Sequence, residues 1–223
     1  MQDVESWLDA RKRWFEAILL TSCADSVSPK FQQMCRYPLA AGGKRFRPLL
    51  CIAACESVGG TPEQALHAAL ALELVHTFSL VHDDLPSMDN DDYRRGKPTV
   101  HKIYGEAMGL LVGDALLVEA FLVLGKSRLS SVLMMELAEA TGAQGMILGQ
   151  YLDINADSSI SEEELLFLHR KKTGALIRGA VRMGGRCGGA SDSQMAMLSQ
   201  FGDTCKQLNE KNKIIFEQIG IST

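Results

Sequence analysis

Five aspartates fall within the ten positions from Asp83 to Asp92, and two arginines follow at Arg94 and Arg95. Like charges this dense repel one another unless cations sit among them. Carboxylate oxygens are hard ligands that suit Mg2+, which keeps several of its waters and bridges carboxylates to phosphate oxygens. The planar guanidinium groups of Arg94 and Arg95 match phosphate oxygens. A solvated acidic loop beside a basic turn is the plainer account of such a run. The mixture of signs, and the long apolar helix pattern leading into it, favour a site. Asp83 and Asp89 would lie about 9 Å apart along an ideal helix, too far to share one ion easily. Pro86 stands between them, so Asp89 is expected to return toward Asp83 from a loop.

Three further groups fit the same chemistry. In Gly42-Gly43-Lys44-Arg45-Phe46-Arg47-Pro48 two glycines free the backbone to approach a ligand and three cations follow, so a diphosphate is the natural guest. A basic helix start, with Pro48 opening the next helix, is the alternative. His76 precedes Asp83 by about two helical turns and shares its face; a lone histidine in an apolar helix is otherwise a core residue. Gln150 and Asp153 on one helix, and Lys172-Thr173 at a helix break, could line the polar end of a pocket or sit on solvated helix ends.

The elements that must carry these residues read as helices. Apolar residues recur with helical period over Asp3–Ser22, and Thr61-Pro62-Glu63-Gln64 combines an N-cap, a first-turn proline and a capping-box glutamine for a helix running to about Leu85. Further helices are expected over Glu106–Leu124, Ser130–Ile154, Glu162–Lys172 (with Ser161 and Glu164 as a second capping box), Ala175–Met183 and Ser193–Ile219. Gly184-Gly185 and Gly188-Gly189 suggest a helix end or turn. No strand alternation or hairpin signal stands out. The expected fold is all-α, a single multi-helix domain over 1–223.

The 223 residues are 46% hydrophobic and 22% charged, enough for a large core. A net charge of -4 argues against general nucleic-acid binding. Cys51 and Cys55 read as small core residues, and six cysteines without a CxxC pair fit reduced thiols and a cytoplasmic protein. The acidic N-terminus does not read as a signal peptide. Gly109 to Gly125, interrupted by Asp114 and Glu119, reads as a buried helix rather than a membrane span.

Taken in order, the Gly42–Pro48 segment, the His76 helix, the aspartates through Arg95-Gly96, Gly113-Asp114, Gly149-Gln150 with Asp153, and Lys172-Thr173-Gly174 resemble the trans-isoprenyl diphosphate synthases, the farnesyl and geranylgeranyl diphosphate synthase family. The resemblance covers about residues 30–204, and it implies the helical bundle of isoprenoid synthases. It implies that Lys44, Arg47, His76 and Arg95 hold the diphosphate of isopentenyl diphosphate. Asp83 and Asp89 would bind Mg2+ against an allylic diphosphate, with Asp84 in support and Asp153 as a further ligand. Arg94 and Lys172 would bind the allylic diphosphate, and Lys172 and Thr173 would steady the carbocation. Gln150 belongs to the same set. The implied reaction is ionisation of the allylic diphosphate, attack by the π bond of isopentenyl diphosphate, and loss of a proton. Phe78, five residues before Asp83, would stop a growing prenyl tail. With the Pro86-Ser87 pair it looks like the bacterial farnesyl type. The family resemblance also implies a homodimer.

The family's second aspartate-rich motif does not appear: after Asp153 there is no adjacent aspartate pair, and 205–223 diverge from the pattern. The fold is therefore expected to be incomplete at the C-terminus and turnover impaired, since lost metal contacts are worth several kcal/mol of transition-state stabilisation. A non-catalytic partner subunit of a prenyl synthase and a terpene cyclase are the competing readings. Two diphosphate sites in a calorimetric titration favour the synthase, one the cyclase, none the partner subunit.

Overall fold

The computed structural model describes residues 3–21, 28–157 and 159–204. Its ordered elements are almost entirely helical: α1 (Val4–Leu19), α2 (Pro29–Leu39), α3 (Phe46–Ser57), α4 (Pro62–Asp83), α5 (Val100–Tyr104), α6 (Glu106–Gly125), α7 (Ser130–Thr141), α8 (Met146–Ile154), α9 (Glu162–His169) and α10 (Ala175–Cys187). Residues 192–204 are also helical. The expected run to Ile219 and the divergent 205–223 tail otherwise lie outside the described residues. Contacts group the chain into two compact units, one of residues 1–49 and 66–128, the other of 50–65 and 129–223.

Local chemistry sets the helix starts. At α4 the Thr61 backbone N–H donates to Gln64 Oε1 at 2.7 Å and Pro62 takes the first position. At α9 the Ser161–Glu164 capping box is complete in both directions. Ser28 caps α2 by accepting from the Phe31 N–H, with Pro29 at the first turn. Pro48 sits in the first turn of α3, where its missing N–H costs nothing.

In the first unit Phe15, Leu19, Leu39, Leu72, Leu74, Leu116 and Leu124 are among the fully buried side chains. In the second, Ile52, Leu133, Leu137, Leu168 and Leu176 play that part, and Cys51 and Cys55 are core residues as expected. Burial raises the Cys55 thiol to about 11 and the Cys187 thiol to about 12, so both stay protonated.

The structure departs from the sequence reading in five places. The 130–154 helix is two helices, α7 and α8, parted at Gly142–Gly145, where a side chain at Gly145 would overlap the Ala140 carbonyl. The break at Lys172 is not an interruption but a five-residue π-helical turn, Arg170–Gly174, joining α9 to α10. Gly184 and Gly185 lie inside α10; a side chain at Gly184 would overlap the Cys51 carbonyl. A short antiparallel hairpin exists, with Tyr93 opposite Pro98 and Arg94 opposite Lys97. Its turn residues Arg95 and Gly96 take φ 53° and 74°, the left-handed pair that matches strand twist. Finally, α6 is not buried all round: Val112, Leu116, Ala120, Val123 and Leu124 are covered, but Leu111, Val118 and Leu122 are exposed. Among the described residues α4 and α6 are long and apolar enough to cross a membrane by length and composition.

Candidate active site

The acidic segment closes on itself as the proline predicts. The Asp89 N–H donates to the Asp83 carbonyl at 2.8 Å, and Met88 and Asn90 N–H both donate to the Leu85 carbonyl. Asn90 adopts φ 54° to complete the reversal. Asp84, Asp91 and Asp92 are held by cations. Arg94 donates from Nε to Asp84 Oδ1 at 2.7 Å and stands 3.3 Å from Asp91, while Lys102 pairs with Asp92 at 2.9 Å. Thr99 ties the segment to α5: its hydroxyl donates to the Asp91 carbonyl at 2.9 Å and lies 3.0 Å from His101 Nδ1. Burial pushes the Asp84 carboxyl up, and Arg94 only partly opposes it.

These positions fit a divalent cation in one specific sense. Among the described residues no three ligating side chains form a ready-made cation cage. Mg2+ ordinarily takes one or two protein carboxylates and completes its shell with waters and substrate phosphate oxygens. The backbone-linked pair Asp83 and Asp89 can supply the carboxylates. Asp84 is engaged with Arg94 instead.

In the same unit a cavity of about 510 Å3 is lined by Lys44, Arg45, Arg47, Glu73, His76 and Arg95, with Ala41 and Gly43. Four of these are basic Lys and Arg side chains. Arg47 is half-buried in the cavity wall; desolvation lowers its guanidinium to about 10 although Glu73 opposes the shift, and its Nε has no hydrogen-bond partner. Burial, followed by the charges of Arg47, Arg95, Arg94 and Arg45, holds His76 well below the ordinary imidazole range, so it is neutral near pH 7. Arg95 reaches the Gly42 carbonyl with Nη1, and any side chain at Gly43 would collide with that guanidinium. Among the described residues the non-glycine residues with positive φ are Arg45, Asn90 and Arg95, all in these two segments. Such strain is characteristic of functional sites.

Phe78 is 7% exposed on α4 and meets His82 edge-on, ring centres 5.2 Å apart. His82 Nε2 is 3.0 Å from the Leu110 carbonyl, and its ring packs where a side chain at Gly113 would be. The remaining candidates lie in the second unit. Lys172, in the π turn, pairs with Asp153 of α8 at 2.5 Å. Gly149 lets the Lys172 backbone approach α8, since a Cβ there would overlap it. Gln150 keeps a buried Nε2 without a hydrogen-bond partner, and Thr173 lies beside Lys172 in the same turn.

The structure thus gathers Lys44, Arg47, His76, Phe78, Asp83, Asp84, Asp89, Arg94 and Arg95 in one unit, and Gln150, Asp153, Lys172 and Thr173 in the other. Sequence reasoning missed Glu73. Its signal was a lone carboxylate in the apolar run of α4, one turn before His76. It also counted Arg45 only as one more cation.

Residues 28–206 match the model of the polyprenyl synthetase family. The chain is 45% identical over 203 residues to the heterodimeric geranylgeranyl pyrophosphate synthase large subunit 1 of Arabidopsis thaliana, covering 83% of this chain and 55% of that protein. It is 44% identical to a dimethylallyltranstransferase of Fischerella ambigua, covering 89% of this chain and 60% of that one. The chain therefore spans little more than half the length of these relatives. The crystal structure of an FPP/GFPP synthase from Zymomonas mobilis superposes with a TM-score of 0.88 at 31% identity, over 98% of this chain and 82% of that one. A geranyltransferase from Helicobacter pylori gives 0.83 at 33% identity, over 90% and 74% of the two chains. With the family's motif order in the sequence, its all-α fold in the structure and a family match over most of its length, the chain belongs to the polyprenyl synthetase family.

Proposed function

We propose that the protein is a prenyltransferase that joins isopentenyl diphosphate to an allylic diphosphate. The observation that carries this reading is the cationic cavity of Lys44, Arg47, His76 and Arg95 in the same unit as the folded-back Asp83–Asp89 loop. One set of groups suits a diphosphate held by side chains, the other a diphosphate held through a divalent cation. A bound Mg2+ would act as Lewis acid toward the leaving diphosphate oxygen. The chain's own residues do the rest. Lys44, Arg47 and Arg95 bind and orient the diphosphate of the attacking substrate. Neutral His76 offers an N–H without adding charge. Arg94 faces the allylic diphosphate. By the family resemblance Lys172 and Thr173 are assigned the backbone and hydroxyl oxygens that steady developing positive charge. Gln150 and Asp153 are carried by the same resemblance, Asp153 as a further cation ligand, and within its own unit Asp153 is the counter-charge of Lys172.

Product length is read from Phe78, a buried ring on α4 that favours a farnesyl-length product. The Arabidopsis relative bears a geranylgeranyl name and the Zymomonas one an FPP/GFPP name, so longer products are the second reading. Among the described residues the aspartates cluster once, at Asp83–Asp92, and slow turnover is the matching expectation. Calorimetry with isopentenyl diphosphate and a non-reactive allylic diphosphate, with and without Mg2+, tests the assignment. Two saturable sites are expected, the allylic one lost on Mg2+ removal or in Asp83→Asn. A single site, or Mg2+-independent binding at both, sinks the proposal. Radiolabelled single-turnover products then separate the length readings: Phe78→Ala lengthens a farnesyl product, while unchanged geranylgeranyl products from both forms exclude the Phe78 floor.

A further inference from the structure

We propose that Arg45 is a positioning residue whose task is to neutralise the buried carboxylate of Glu73, so that this anion does not oppose the one the cavity receives. The inference rests on the reading of that cavity as a diphosphate site and adds residues to it.

Glu73 is 1% exposed, yet it lines the cavity together with Lys44, Arg47, His76 and Arg95. A carboxylate in the wall of an anion site repels the guest, and it does so more strongly where water is excluded. Glu73 is therefore a liability unless its charge is matched. Arg45 matches it: Nη1 donates to Glu73 Oε1 at 2.7 Å. Each of the other two guanidinium nitrogens also has a protein acceptor, Nε donating to Glu16 Oε1 at 3.0 Å and Nη2 to the Leu39 carbonyl at 2.7 Å. Arg45 is 4% exposed, whereas Lys44 beside it is exposed. The left-handed φ of 50° at Arg45 lets adjacent residues divide in this way, one outward and one inward.

The four cations of the cavity wall thus fall into two classes. Lys44, Arg47 and Arg95 are available to a ligand; Arg45 is committed to the protein. Glu73 already acts electrostatically on Arg47 and Arg95, favouring the charged form of both. Without Arg45 the carboxylate would turn to one of them, taking a ligand cation out of service and leaving its own charge facing the diphosphate.

The test is a double-mutant cycle read by calorimetric titration of inorganic diphosphate into the full chain, with circular dichroism to confirm helix content. Arg45→Met is expected to weaken binding by about tenfold or more, because it unmasks a charge as well as removing one. Glu73→Gln is expected to bind as tightly as wild type or up to about threefold tighter, since the cavity wall then carries one negative charge fewer while Glu16 and the Leu39 carbonyl still hold Arg45. The pair Arg45→Met with Glu73→Gln is expected to recover to within about threefold of wild type, a positive coupling that no direct contact between Arg45 and the ligand would give. A double variant as weak as Arg45→Met overturns the inference, for Arg45 would then be a ligand or a plain loop support. If Arg45→Met does not fold, Glu73→Gln decides alone: a tenfold loss of diphosphate affinity in that variant overturns it. A wild-type chain that releases no heat with diphosphate refutes the underlying site reading, a result distinct from failure of the cycle.

Discussion

The charge state of single side chains decides what the cationic cavity can do. His76 shares it with Arg47 and Arg95, and its proton is disfavoured first by burial and then by those charges. The sign follows directly. A histidine whose folded value is depressed stays neutral while the unfolded chain begins to bind a proton below about 6.5. His76 therefore favours folding above that pH, and this contribution falls away as pH drops toward its lower folded value. An anion placed in the cavity reverses the balance, because it stabilises the imidazolium. Nitrogen-detected NMR titration should find His76 unprotonated at pH 6 in the free chain, and inorganic diphosphate should move its midpoint upward. A midpoint at or above 6.5 without ligand contradicts the field described for this cavity. Much of this was legible in the sequence, since Lys44, Arg47 and His76 were picked by type and spacing. The role of Glu73 was not, because a charge in an apolar helix says nothing of which cation it meets. Arg45 supplies that partner from 28 positions upstream, a long-range pairing that local pattern cannot encode.

Between helices, the clearest single tie lies in the second unit. Glu136 of α7 accepts from Arg182 Nε at 2.7 Å and from Nη2 at 2.6 Å, a two-pronged pair, while Arg182 Nη1 donates to Ser199 Oγ in the 192–204 helix. Burial alone would raise the Glu136 carboxyl, but the bonds and charge of Arg182, with Arg186 nearby, outweigh it and leave it below the usual range. A depressed carboxylate stabilises the fold above its unfolded value, about 4.3, and that contribution is lost as pH falls through the lower folded value. Glu136→Gln should cost about 1–3 kcal/mol at neutral pH and flatten the acid limb of the stability curve. Urea midpoints between pH 7 and pH 3 measure it, and equal acid slopes in both proteins would rule out the tie. The elements that bear this pair show where pattern reading works. Capping boxes and apolar period located α4, α9 and α10 because those signals are local. The gap between α7 and α8 escaped because apolar residues keep their period across Gly142–Gly145. The hairpin escaped because two-residue strands are too short to alternate, and the π turn because its hydrogen bonding leaves no mark on composition.

For the molecule as a whole, the open question of assembly turns on α6. Its buried face carries Val112, Leu116, Ala120 and Val123; the opposite side carries Leu111, Val118 and Leu122, exposed by 47%, 59% and 56%. Residues 111, 118 and 122 are seven and eleven positions apart, close to two and three helical turns, so they form one stripe. A helix apolar on all sides ordinarily belongs in a core, and within the described residues only one side of this helix has cover. Contiguous apolar surface of this kind marks an association face. A second copy of the chain is the expected occupant, since a two-fold arrangement lets the same stripe cover itself. Sedimentation velocity at micromolar concentration should show a dimer. Val118→Glu combined with Leu122→Glu should give a monomer of unchanged helix content, because the symmetry brings like charges together and leaves them desolvated. The same variant should keep its affinity for inorganic diphosphate within about threefold, the cavity of Lys44 and Arg47 being built from other elements. A wild-type monomer, or a double-glutamate variant that remains dimeric, would place the contact elsewhere and leave the α6 stripe to a different partner.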